Sequence, residues 1–118
     1  MLPVVFVLAS SISDLDANAA IMFVQSKITP AIFEVCKQSM PARATEFDSV
    51  RFRWDTRNKE LVKRGARVAR EQMAREGKAD DSDLATERDS MVDILNTMSL
   101  SERIERCEHI LDVVRSES

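Results

Sequence analysis

Residues 42–77 read ARATEFDSVRFRWDTRNKELVKRGARVAREQMAREG. Phe47, Val50, Trp54, Leu61, Gly65, Val68 and Gln72 follow one another at gaps of 3, 4, 7, 4, 3 and 4. That is one seam per turn of about 3.5 residues, the period of a helix with a narrow buried stripe. Val62, Ala66, Ala69 and Met73 widen the stripe. It is aromatic at its start and thin at its end, so burial is expected to be deeper near Trp54 than near Met73. Gly77 and the polar KADDSD that follows mark the stop.

The rest of the chain repeats the helical pattern. Leu84, Met91, Ile94, Leu95 and Met98 form a stripe over about 83–98, and Asp80, Asp81 and Asp83 suit the positive end of its dipole. In the last segment Ser99 and Glu102 read as a capping box. Ile104, Cys107, Ile110, Leu111 and Val114 then share a face. Upstream, Thr29-Pro30 reads as an N-cap followed by Pro at the first helical position. Ile32, Phe33, Cys36 and Met40 continue that helix until Pro41 ends it. Two Gly, three Pro and no Tyr in 118 residues leave little material for sheet turns. The expected fold is all-α: a small antiparallel bundle of about four helices in a single domain over 20–118.

Charge is uneven along the chain. Residues 43–78 carry eleven bases against six acids, and residues 79–118 carry eleven acids against four bases. The plain expectation is that the two regions pack together and neutralise each other. The basic stretch could instead meet nucleic acid or an anionic membrane, but Glu60, Glu71 and Glu76 interrupt it. Glu60–Arg64 and Glu71–Arg75 are also spaced to pair along one helix. No nucleic-acid partner is therefore expected.

The first residues, MLPVVFVLASSISDLDANAA, pose a question of compartment. The apolar run 2–12 is too short to span a bilayer, so no stable membrane insertion is expected. It has the length of a signal-peptide core, and Ala17-Asn18-Ala19 fits a cleavage site before Ala20. Residues 1–19 are accordingly read as a signal peptide. The basic residues that should precede such a core are missing. The alternative is a cytoplasmic helical oligomer or adaptor whose apolar N-terminus packs at an interface.

Cys36 and Cys107 are the two cysteines. In an exported chain an even count points to a disulfide. In a cytosolic one they would be separate buried thiols.

Chemistry-bearing patterns are scarce. Cys107-x-His109 places its two side chains about 200° apart around a helix, too far to share a metal. His109 has no nucleophile partner in sequence, and both glycines belong to helices or their ends. No catalytic residue, metal ligand or cofactor is assigned. Phe52 falls off the Phe47–Trp54 seam, and an exposed aromatic anchors partners. Phe52, Trp54, Arg57 and Arg64 are the candidate partner-binding residues.

The stretch from Cys36 to Leu61 resembles small helical secreted or periplasmic proteins of proteobacteria, of unknown function. The matching residues are Cys36, Pro41, Phe47, Trp54, Arg57 and Asn58, with Cys107 in the last helix. The resemblance covers about 36–107. It implies a periplasmic, disulfide-stapled helical domain and no particular activity. The expected function is that of a non-enzymatic periplasmic binding or interaction protein, of the inhibitor or toxin-immunity kind. Its partner would be a protein of unknown identity, and a homodimer is open.

Overall fold

The computed structural model describes residues 14–77 and 82–118. They form four helices: α1 (Asp14–Ser39), α2 (Ala44–Arg75), α3 (Ser82–Thr97) and α4 (Leu100–Ser116). A 3₁₀ turn, Pro41–Arg43, joins α1 to α2, and no strand occurs among the described residues. The apolar run 2–12 and the acids Asp80 and Asp81 lie outside the described residues.

Side-chain pairs give the helix directions. Phe33 meets Phe47 and Asp16 meets Arg64, so α1 and α2 are antiparallel. Cys36 is bonded to Cys107 and Gln25 meets Glu117, so α4 also runs against α1. α1 is the central element, packed against all three other helices. α2 has 32 residues, about 48 Å at 1.5 Å each, and it matches the 49 Å long dimension of the molecule.

The core gathers Ile28, Ile32, Phe33 and Cys36 of α1 around Phe47, Val50 and Trp54 of α2. Leu95 of α3 and Cys107, Leu111 and Val114 of α4 close it. Phe33 and Phe47 meet edge to face, with ring centroids 5.0 Å apart and planes at 80°. That arrangement places the electropositive edge of one ring on the negative face of the other.

The α2 seam is as expected at Phe47, Val50, Trp54, Gly65 and Val68, all buried. The gap of seven between Trp54 and Leu61 is filled by Asn58, a buried polar residue 5% exposed. Leu61 and Met73 are half-buried and Gln72 is exposed, so burial does fade along the helix. The helix ends at Arg75, and Gly77 takes a φ of 72°, a backbone conformation that costs glycine little. Ser99 caps α4: its Oγ accepts from the Glu102 N–H at 3.2 Å and donates to Glu102 Oε1 at 2.8 Å.

Two expectations are corrected. Thr29-Pro30 does not begin a helix, because α1 runs unbroken from Asp14 with Pro30 inside it. A proline there costs about 3 kcal/mol in a free helix. Here Ile28, Ile32, Phe33, Val35 and Cys36 are all buried on either side of it, and their burial outweighs that cost. In α3 the expected stripe is shifted. Met91 and Ile94 are 39% and 54% exposed, whereas Val92 packs against the core with Leu84, Leu95 and Met98. α3 leans on α1, and one neighbour covers a narrower face than a helix buried from two sides.

Gly65 is the closest approach of α1 and α2. A Cβ built on it would lie 2.0 Å from the Ala19 carbonyl oxygen and 2.7 Å from Phe23 Cβ. Ala19 is fully buried, and the Ala19–Ala20 bond lies within α1.

Candidate functional site

Cys36 and Cys107 form a disulfide, Sγ–Sγ 2.16 Å and Cα–Cα 5.6 Å, with both residues fully buried. It fastens the end of α1 to the middle of α4. Just beyond it, Arg103 holds the turn between α3 and α4. Its guanidinium donates to the carbonyls of Leu95 and Met98, each at 3.0 Å, and so satisfies acceptors that a helix C-terminus leaves open.

A second cluster surrounds the last residues of the chain. The Trp54 indole N–H donates to Glu117 Oε1 at 3.2 Å, and Gln25 Nε2 donates to the same carboxylate at 3.3 Å. Asn58 Nδ2 donates to the Glu117 carbonyl at 3.1 Å and to its own helix at Trp54 O, 3.0 Å. Arg57 reaches the Ser118 carbonyl at 3.5 Å. The helix spacing of Trp54, Arg57 and Asn58 puts all three beside the end of α4. The Trp…Arg-Asn pattern of the sequence is therefore a clamp on the chain's own C-terminal residues.

An ionic cluster joins the start of α2 to the second half of α4. Arg43 donates to both Glu46 oxygens at 2.8 and 3.1 Å and pairs with Glu108 at 3.3 Å. Arg115 pairs with Glu46 and, at 3.1 Å, with Asp112. The hydrogen bond from Arg43, and then that from Arg115, holds the Glu46 carboxyl below the usual carboxylate range. Lys37 bridges Asp48 at 2.9 Å and Glu34 at 3.0 Å, and those bonds raise its pKa, Asp48 first.

The expected neutralisation of the basic region by the acidic one is a small part of this packing. Arg43–Glu108 joins the two regions, but Arg64 pairs with Asp16, Arg51 with Asp55 and Lys63 with Glu60. The reason is geometric. α4 ends beside Trp54 and Asn58, whereas most of the bases lie beyond them on α2.

The four expected partner-binding residues do not form one surface: Trp54 and Arg57 meet at the C-terminal residues, while Phe52 and Arg64 lie elsewhere on α2. Trp54 is 4% exposed and its N–H is used inside the molecule, so it presents nothing to a partner. Arg64 is tied to Asp16 at 2.5 Å, and Arg57 faces the C-terminus. Phe52 is 72% exposed and remains a surface aromatic. His109 lies on the open face of α4 with Glu102, Glu105 and Arg106, in an unenclosed hollow. No group of three or more metal-ligating side chains occurs among the described residues.

Two features escaped the sequence reading. One is the acceptor role of Glu117; a polar Asn58 in an apolar seam was the signal for it. The other is a groove of about 290 Å³ over α1, lined by Ala20, Phe23, Val24, Ala69, Met73 and Leu84. α1 itself is long and apolar enough to cross a membrane, by length and composition alone. Its apolar residues here form the centre of the bundle core.

Fold and clusters together define a disulfide-stapled all-α bundle. The chain matches no family model, no curated protein and no solved structure.

Proposed function

We propose that this protein is a non-enzymatic interaction protein of an oxidising compartment, periplasmic or secreted, acting on a protein partner as an inhibitor or immunity protein does. The Cys36–Cys107 disulfide carries the reading. Such bonds persist where no thiol-reducing system operates, and small exported domains use them to supplement a limited core. The apolar run 2–12 has the length of a signal-peptide core, which adds to the export reading, although a cut before Ala20 would fall within α1. The chain's stronger polar clusters, around Glu117 and Glu46, are spent on holding helices together. What is left for a partner is surface: Phe52, Ile21, Ile94 and Leu100 are each more than half exposed.

The test is an intact mass of the protein from its own cells, fractionated into envelope and cytosol, with thiols alkylated at lysis. An envelope protein that takes up alkyl groups only after reduction meets the expectation. A cytosolic protein alkylated at both cysteines without reduction would overturn it.

A further inference from the structure

Ala17-Asn18-Ala19 fits a leader cut before Ala20, yet the fold uses the residues that such a cut removes. α1 begins at Asp14 and runs through the Ala19–Ala20 bond without a break. Ala19 is fully buried, and its carbonyl oxygen takes the space that a Cβ on Gly65 would need. Three residues earlier, Asp16 pairs with Arg64 of α2 at 2.5 Å. Leu15 borders the same hollow as Leu61 and Arg64. Asp14 and Asp16 both stand in the first turn of α1, where a carboxylate suits the positive end of the helix dipole.

A chain that began at Ala20 would lose all of this. Arg64 would lose the carboxylate it pairs with, and Gly65 would lose its nearest neighbour on α1. The new α-ammonium would bring positive charge to the end of the helix that already carries it, at a half-buried position. Proteolytic cuts also concentrate at exposed, irregular chain, and in the fold the Ala19–Ala20 bond is neither. The sequence offers a second site upstream. Residues 2–8 are uncharged and reach the lower end of the length of a signal-peptide core, about 7–15 residues. Ala9-x-Ser11 then supplies a small residue at both positions of an A-x-A-like site and places the cut before Ile12. The shorter leader carries no acid, whereas Asp14 and Asp16 would lie inside the longer one, just ahead of its cut.

We propose that the leader is cut at the Ala9-x-Ser11 site, ahead of Asp14, and that residues 14–19 stay in the mature protein as the first turns of α1. There Asp16 and Ala19 fix the start of α1 against Arg64 and Gly65 of α2. The proposal rests on the export reading above and assigns where the exported chain begins.

N-terminal sequencing and intact mass of the protein from the envelope and cytosol of its own cells test it. The expected envelope chain begins at Ile12 and keeps Asp14 through Ala19. Two variants of the full chain check which site is read. Ser11→Leu puts a large side chain at the last position of the upstream site, and should shift the N-terminus or leave the precursor uncut. Ala17→Leu does the same to the downstream site, and should leave the N-terminus where it is in the unaltered protein. An envelope chain that begins at Ala20 overturns the proposal and leaves the export reading standing. So does maturation that Ala17→Leu blocks and Ser11→Leu does not. An uncut chain in the envelope overturns the proposal alone, and an uncut chain confined to the cytosol overturns it together with the export reading.

Discussion

Adding one methyl group at Gly65 tests how α1 and α2 are held. Ordinary contact to a Cβ begins near 3.4 Å, and the Gly65→Ala methyl would sit 2.0 Å from the Ala19 carbonyl oxygen. The helices would have to part by about 1.4 Å at that point, because the obstructing atom is backbone and cannot rotate away. Alanine favours the helix over glycine by about 1 kcal/mol. Overpacking a tight contact costs about 1–3 kcal/mol and at times more. A gap of this size also forfeits a large share of the dispersion energy along the seam. The net expectation is a loss of about 2 kcal/mol or more. Urea unfolding of oxidised protein, followed by circular dichroism, measures it as a lower midpoint at unchanged slope. Gly77→Ala is the control. Nothing lies within 4 Å of a Cβ there, so its cost comes from the φ of 72° alone, about 1–2 kcal/mol. A Gly65→Ala protein as stable as the parent, or more stable, would refute the close-packed crossing.

Three further outcomes are expected. Cys36→Ser with Cys107→Ser should cost about 4 kcal/mol in the chain-entropy model for a loop of this length, read as a drop in urea midpoint against the oxidised parent; an unchanged midpoint would mean the bond adds nothing. Glu117→Ala leaves the buried Trp54 N–H without its acceptor and should cost about 1–2 kcal/mol, with a change in Trp54 fluorescence, whereas a silent variant would make the clamp incidental. Glu46 should titrate below an ordinary glutamate by carboxyl NMR. A lowered folded pKa means that its contribution is present above the unfolded carboxylate pKa and is lost as pH falls through the folded value. That acid-side loss should shrink in Glu46→Gln and in high salt.

The sequence by itself determined the all-α class, the order of the helices and the apolar faces that carry Cys36 and Cys107, while their bond stayed one of two readings until the structure joined them. Period, caps and breakers are local, and they act over the few residues that a window of sequence contains. Phe47, Val50, Trp54, Ser99 and Gly77 could be assigned from their neighbours alone. Even the resemblance pattern was legible at Trp54, Arg57 and Asn58, although its purpose was not. Tertiary structure decided whatever depended on which helix lies beside which. It carried α1 through Pro30, because burial on both sides outweighs a local penalty. It shifted the α3 stripe from Met91 and Ile94 to Val92, because α3 leans on one neighbour. It turned Trp54 from a surface anchor into a donor to Glu117, 63 residues away in the chain. It left the basic half of α2 beyond the reach of α4, because α4 stops at Asn58. The partners of a side chain are set by packing between elements, and no window along the chain contains both sides of such a contact.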